Sequence, residues 1–148
     1  QLQKRLGLRA PPRRIECVDI SNFQGSDIVG AVVSFFDGKP EKSAYRKYRI
    51  SLKGKPDDFS SIHEVVRRRL ERGRNEDNLP DLLVIDGGQG QLSSAIAARD
   101  ELGIELQIVS LAKMRVVSTK RNEVERKPER AFREGSEVPV ILDTGEPV

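Results

Sequence analysis

Cysteine, histidine and aromatic residues are scarce in this 148-residue chain. It has one cysteine, Cys17, and one histidine, so an internal disulfide and a zinc site built from cysteines are both excluded. Aromatic residues make up 5% of the sequence and hydrophobic residues 36%, which predicts a modest, mainly aliphatic core. No signal-peptide pattern and no long apolar run is present, so we expect a soluble, cytoplasmic protein.

Acidic residues are scarce in several stretches, although the whole chain has a net charge of only +3. Residues 1–14 contain five cations and no acid, and residues 39–55 contain seven cations and one acid. Five arginines between residues 67 and 74 surround one acid, and residues 113–133 contain eight cations and three acids. Such clusters suit a polyanion that offers many phosphates. An ordinary solvated charged surface is the alternative.

The most informative stretch is an apolar run that ends in an aspartate and then passes through glycines into a helical pattern. Four aliphatic residues between Pro80 and Gly87 predict a strand buried on both faces, as in the centre of a parallel sheet. Asp86 then lies at the carboxyl end of that strand, where open α/β sheets collect ligands. The glycine spacing matches neither G-x-G-x-x-G nor a P-loop.

An acid at that position would repel a phosphate unless a cation lay between them. The stretch therefore favours a metal-mediated phosphate site at Asp86. A simple helix cap formed by the Asp86 side chain is the alternative.

The rest of the pattern predicts an α/β protein with a mixed sheet, in the order β-β-β-α-β-α-β, flanked by helices. Residues 1–14 read as a basic extended lead-in, and residues 15–148 as one domain. The predicted strands cover residues 15–20, 28–36, 43–50, 82–85 and 106–111, and the predicted helices residues 57–73 and 91–102, with residues 138–142 as a candidate for a last short strand. Residues 118–137 are charged and poorly periodic.

Local signals refine several of these elements. Asp37-Gly38 is a favoured hairpin turn, and Ser21, Asn22 and Gly25 are expected to end the first strand. In the return strand, Tyr45, Lys47 and Arg49 share one face.

The first helix shows an apolar stripe with its arginines on the exposed side. Ser61 to Glu64 has the spacing of a capping box, Gly73 is a plausible stop, and His63 has no partner nearby in sequence, which favours a structural role. The stripe consists of Phe59, Ile62, Val66 and Leu70, with Val65 beside it.

Two acids are predicted to meet. Alternation places Ile15, Cys17 and Asp19 on one face of the first strand. If that strand lies beside the central strand, Asp19 and Asp86 come to one place, and no other pair of acids shares this property so simply.

Two motifs carry a resemblance to a known family. Residues 19–25 read D-I-S-N-F-Q-G and residues 85–92 read I-D-G-G-Q-G-Q-L, and further matching stretches lie at residues 12–18, 45–50, 57–69 and 79–84. Together they resemble the C-terminal endonuclease half of UvrC, the nuclease subunit of bacterial nucleotide excision repair. The resemblance covers roughly residues 6–113.

The resemblance implies an RNase H-like fold and metal-dependent hydrolysis of a DNA phosphodiester bond on the 5′ side of damage in double-stranded DNA. Asp19 and Asp86 stand where the family has its first two catalytic carboxylates, which would hold Mg²⁺ or Mn²⁺. Asn22 and Gln24 resemble the polar loop beside the first carboxylate. Candidates for the DNA backbone are Arg46, Lys47, Arg49, Arg68 and Lys113.

The resemblance also implies parts that these 148 residues do not contain. The family supplies a third carboxylate and a histidine from an R-D-E-x-H-R-F-A helix, tandem helix-hairpin-helix DNA binding, and contact with UvrB through another region. We therefore expect this stretch to be inactive, or nearly so, by itself. The alternatives are a non-catalytic nucleic-acid-binding domain and a nucleotide-binding domain that uses the turn at residues 87–90.

Overall fold

The computed structural model describes residues 8, 11–23, 27–50, 57–112, 115–118, 123–126, 130–136 and 140–141. For residues 22–23, 115–118, 123–126 and 140–141 this description covers the backbone alone. The strands are β1 (Arg14–Phe23), β2 (Asp27–Phe36), β3 (Lys39–Pro40), β4 (Arg46–Arg49), β5 (Leu82–Asp86), β6 (Gln107–Ala112), β7 (Arg115–Ser118), β8 (Glu123–Arg126), β9 (Arg130–Arg133) and β10 (Val140–Ile141). The helices are α1 (Asp58–Glu76) and α2 (Gln89–Leu102), with a 3₁₀ turn at Lys42–Ala44.

One mixed sheet organises the chain. Its strand order is β10-β9-β6-β5-β1-β2-β3, and β4 also pairs with β2, while β7 and β8 form a separate hairpin. β5 is central and lies parallel to both β1 and β6, whereas β2 is antiparallel to β1. This confirms the predicted central strand and the parallel β5-α2-β6 crossover. No helix in the described ranges is long and apolar enough to cross a membrane.

The predicted hairpin forms, but its return strand is split. Asp37 and Gly38 both have positive φ, 49° and 80°, as a two-residue turn of the primed type requires. β2 pairs first with β3, where Phe35 faces Pro40, and then with β4, where Val32 faces Arg46. The 3₁₀ turn fills the gap between the two pairings, so the strand begins at Arg46 rather than at residue 43.

The first strand is longer than predicted. The polar residues after Ile20 do not end it, because β1 stays paired with β2 from Arg14, opposite Phe36, to Phe23, opposite Asp27. The cross-strand partner satisfies the backbone groups that Ser21 and Asn22 would otherwise use in a turn.

The charged region after β6 contains more order than its sequence pattern indicates. β9 pairs antiparallel with β6, and β10 pairs with β9, at the edge of the sheet. Ala131 of β9 is fully buried against that edge. A single small apolar residue among charges gives no period, which is why the pattern missed this strand.

Both ends of α1 differ from the prediction. Asp57 caps the helix by accepting a hydrogen bond from the Ser60 N–H at 2.7 Å, so the capping box at Ser61 does not form. The helix continues through Gly73 and ends at Glu76, where Asp77 adopts the left-handed conformation. Gly73 instead leaves space for the side chain of Arg69, since a Cβ at this position would lie 2.7 Å from the Arg69 guanidinium.

The two faces of the sheet hold different cores. On the helix-covered face, Val18, Val32 and Ile85 pack against α1 and α2. The buried residues of α1 include Ile62, Val65, Val66 and Leu70, as predicted. Phe59 departs from that stripe and is 47% exposed. α1 approaches β2 so closely that a Cβ on Gly30 would lie 2.2 Å from Val65.

The opposite face, called here the open face, has a smaller core around the central strands. Leu82, Val84 and Val109 are buried there with Leu8, and Ile15 and Cys17 pack beside them. Leu8 belongs to the predicted basic lead-in, and its burial places this one residue against the sheet.

One arginine of α1 is buried, against the expectation that all of them face solvent. Arg69 forms a two-pronged ion pair with Glu16 of β1, at 2.6 and 3.1 Å, and both side chains are 1% exposed. The same guanidinium donates to the Asn78 side chain and backbone carbonyl, at 3.2 and 2.7 Å. The arrangement joins β1, α1 and the following loop.

Breaking this pair should destabilise the fold strongly. Replacing Arg69 by methionine leaves the Glu16 carboxylate buried without a counter-charge, so we expect a loss of about 3–5 kcal/mol in the free energy of unfolding, measured by urea denaturation. Arg72→Met is the matched control, because Arg72 makes an exposed pair with Glu76 four residues on, and exposed pairs contribute little to stability. The double variant Glu16→Met/Arg69→Met should lose less than Arg69→Met alone. Equal losses for Arg69→Met and Arg72→Met would contradict this account.

Candidate active site

Asp19 and Asp86 lie side by side on the open face of the sheet. β1 and β5 pair in parallel with Cys17 opposite Val84 and Val18 opposite Ile85, so the next positions in this register are Asp19 and Asp86. Neighbouring strands are about 4.8 Å apart, and alternation puts both carboxylates on one face. Both residues are exposed. The predicted meeting of these two acids is present in the structure.

The electrostatics of Asp19 reflect this proximity. Partial burial raises the pKa of Asp19, and the charge of Asp86 and a hydrogen bond between the two carboxyl groups raise it further. The N–H of Ile20 opposes this by donating a hydrogen bond to Asp19. Two carboxylates held together in this way attract a cation or share a proton.

A third acid, Asp58, completes the surroundings and was missed from the sequence as a site residue. It is the first residue of α1, and its charge also raises the pKa of Asp19. The side chain of Gln91 in α2 donates to Asp58 at 3.2 Å and accepts from the Gly88 N–H at 3.0 Å. The signal available in the sequence was the acidic pair at residues 57–58, of which the first acts as the helix cap.

The turn after β5 is built by glycine rather than by an Asp86 cap. Gly87 has φ 152°. Gly88 is the N-cap residue of α2, and its backbone N–H donates a hydrogen bond to the side chain of Gln91. The alternative in which Asp86 merely caps the helix is therefore wrong. Because Gln91 already occupies the Gly88 N–H, the turn also lacks a free donor there for a nucleotide phosphate.

The oxygen donors at this site fit a hard divalent cation. Mg²⁺ takes oxygen ligands and is commonly held by one or two carboxylates together with water and substrate phosphates. Asp19 and Asp86 supply such a pair. Among the residues that the structure describes, no group of three or more histidine, cysteine, aspartate or glutamate side chains converges closely enough to hold a metal by itself.

The remaining candidate site residues divide by location. Gln24 and Lys113 lie outside the described residues, as does the side chain of Asn22. The four other cations proposed for the DNA backbone are described, and they lie on two sides of β4. Lys47 and Arg49 are exposed on the open face, while Arg46 lies on the helix side, 3.9 Å from Glu76.

Arg68 is occupied within the fold. It donates to the carbonyl of Arg49 at 2.8 Å and to Glu64 at 3.2 Å, and it lies 5.0 Å from the centre of the Tyr48 ring. His63 also has an internal partner, Glu101 of α2, at 3.0 Å.

Neutralising Asp19 should stabilise the metal-free fold. A raised pKa means that the folded state holds the proton more tightly than the unfolded chain, so the charged form destabilises the fold above that pKa. We expect Asp19→Asn to raise the unfolding temperature in EDTA at pH 7, with a gain in the free energy of unfolding of less than about 1 kcal/mol because the group is exposed. The gain should shrink as pH falls through the raised pKa and vanish below the unfolded-state value of about 3.9. Glu105→Gln, at an exposed carboxylate in the loop before β6, is the control, and a lower unfolding temperature for Asp19→Asn would contradict this expectation.

Several known proteins are similar to this chain in sequence. The family described as the UvrC RNase H endonuclease domain matches residues 3–148. The UvrABC system protein C of Syntrophotalea carbinolica is 44% identical over 150 residues, covering 99% of this chain and 24% of that protein. The corresponding protein of Geobacter metallireducens is 48% identical over 144 residues, covering 96% and 24%. The chain thus spans about a quarter of the length of these relatives.

Solved structures support the fold. The catalytic domain of human endonuclease V is similar with a TM-score of 0.57 and 14% identity, over 92% of this chain and 69% of that one. Endonuclease V of Ciona intestinalis gives a TM-score of 0.53 at 12% identity, over 90% and 71%. The fold is RNase H-like, as the motifs indicated. The family match over residues 3–148 and the identity to these relatives show that the chain belongs to the UvrC RNase H endonuclease domain family.

Proposed function

We propose that this chain is a divalent-metal-dependent DNA endonuclease domain that hydrolyses a phosphodiester bond. The observation that carries the proposal is the adjacency of Asp19 and Asp86 at the end of two parallel strands, with the pKa of Asp19 raised by burial and by Asp86. The family match and the placement of these acids in the D-I-S-N and I-D-G-G motifs support it.

The roles of the residues follow from their positions. Asp19 and Asp86 would hold Mg²⁺ or Mn²⁺, and the bound ion would activate a water molecule and offset the charge that builds on the phosphate. Asp58 adds negative charge beside Asp19 and is oriented by Gln91. Gln91 itself is fixed by the Gly88 N–H, so the turn after β5 and the start of α1 are held together.

We propose that this activity serves nucleotide excision repair, which the name shared by the relatives, UvrABC system protein C, supports. The resemblance of the D-I-S-N and I-D-G-G motifs supports the finer proposals: a cytoplasmic protein, damaged double-stranded DNA as substrate, the 5′ incision as the cut, and UvrB as a partner through a region outside these residues. We also propose that residues 1–148 cut weakly or not at all without the family's R-D-E-x-H-R-F-A helix.

The test is a cleavage assay on damaged duplex DNA with a chain extended through that helix. Asp19→Asn and Asp86→Asn should each slow the metal-dependent cut by roughly 10³-fold, equivalent to about 4 kcal/mol of lost transition-state stabilisation. Asp77→Asn should cut at the parent rate, and DNA affinity in EDTA should be unchanged or higher in both acid variants, since a repulsive charge is removed.

Two outcomes would decide against the proposal. Cutting by Asp19→Asn or Asp86→Asn at more than a tenth of the parent rate would show that these acids are not catalytic. If the extended chain bound DNA but failed to cut it with every divalent metal tested, the domain would be a non-catalytic nucleic-acid-binding domain of the same fold.

A further inference from the structure

A row of side chains on the open face leads from the paired acids to the edge of the sheet. Asp19 of β1 lies opposite Ala31 of β2, and Ala31 lies opposite Lys47 of β4. Because strands are about 4.8 Å apart, the Cα atoms of Asp19 and Lys47 are about 10 Å apart. All three side chains point to the same face, so the acid and the cation face one surface.

The next row repeats this arrangement. Ser21 lies opposite Val29, and Val29 lies opposite Arg49. Arg49 follows Lys47 by two residues, which puts the two cations about 7 Å apart along β4. The floor between the acids and the cations consists of Ala31 and Val29, which are small, half-buried and uncharged.

Lys47 and Arg49 are available for a ligand. Both are exposed, and neither side chain makes a hydrogen bond or an ion pair with the described residues. By contrast, Arg46 on the other side of β4 lies near Glu76, and Arg68 is held by Glu64 and the Arg49 carbonyl. Among the described cations of β4, those without a partner are therefore the two on the open face.

A DNA strand is the ligand that fits this spacing. A mononucleotide bound at Asp19 and Asp86 would not reach Lys47 and Arg49, which lie two strands away. A chain of consecutive phosphates can contact the acids and these cations at the same time. The positive charge of these cations offsets part of the repulsion that the two carboxylates exert on an approaching phosphodiester, and salt screens this effect because the groups lie about one Debye length apart.

The groove between α1 and α2 offers a second route away from Asp58, but its charges are already paired. It is lined by Phe59, His63 and Arg67. His63 lies 3.0 Å from Glu101, and Arg67 lies 3.9 Å from Glu71. An incoming phosphate would have to compete with both glutamates.

We propose that one strand of the DNA crosses the open face from Asp19 over Ala31 to the edge at β4, with Lys47 and Arg49 binding phosphates adjacent to the one that is cut. The inference rests on the nuclease function proposed above and assigns the path of its substrate. Lys47 and Arg49 are positioning residues here: they hold the strand in register with the acids and take no part in the bond that breaks.

The experiment compares two pairs of substitutions that each remove two positive charges. Lys47→Gln/Arg49→Gln removes the open-face cations, and Lys39→Gln/Lys42→Gln removes two exposed cations of the same hairpin away from the path, since Lys39 lies opposite Phe36 at the far end of β2. Binding of residues 1–148 to a short DNA duplex is measured by fluorescence anisotropy in EDTA over a series of salt concentrations.

The salt dependence gives the result. Each lost phosphate contact makes the slope of log K against log salt shallower by about 0.9, so Lys47→Gln/Arg49→Gln should reduce it by about two and the control pair by much less. Equal reductions for the two pairs would overturn the path. Circular dichroism verifies that both pairs retain the parent fold.

The same readout separates this proposal from the nuclease proposal, because binding in EDTA does not require cutting. A chain that depends on Lys47 and Arg49 for binding, and whose extended form never cuts, would contradict the nuclease function alone. A chain that cuts through Asp19 and Asp86, but binds equally well in both substituted pairs, would contradict the path alone.

Discussion

The parallel pairing of β1 with β5 is the constraint on which the candidate site depends. The central strand is buried on both faces, with Leu83 and Ile85 towards the helices and Leu82 and Val84 towards the open face. A shift of the register by a single residue would move the side chains of one strand to the opposite faces of the sheet. The same register that satisfies the two cores therefore fixes Asp86 beside Asp19.

The fold supplies independent restraints on that register. Glu16 of β1 is three residues before Asp19 and points to the helix side, where Arg69 holds it in a fully buried pair. Such a pair tolerates little displacement, because separating its members leaves a charge in the core. The repulsion between Asp19 of β1 and Asp86 of β5 on the open face is thus opposed by a specific attraction on the other face of β1.

Much of this arrangement was predictable, and the failures have physical causes. The strand at Leu82–Asp86, the helix ending at Gly103 and the hairpin at Asp37-Gly38 follow from apolar runs and turn residues. The predicted proximity of Asp19 and Asp86 needed only strand alternation and parallel pairing. Arg69 was placed on the wrong side of α1, since its partner is 53 residues away in sequence. Asp58 and the strand around Ala131 were missed for the same reason: their contacts are long-range and leave no local period.

The central claim is that Asp19 and Asp86 form one divalent-metal site, and a Mn²⁺ titration of residues 1–148 tests it most directly. Paramagnetic broadening of backbone amide signals should remove the signals around both residues at the same Mn²⁺ concentration, together with those at the start of α1 near Asp58. Asp19→Asn or Asp86→Asn should each abolish the effect at both positions, while Asp77→Asn should preserve it. Broadening that is scattered over the surface, or that persists around one acid when the other is replaced, would contradict a shared site.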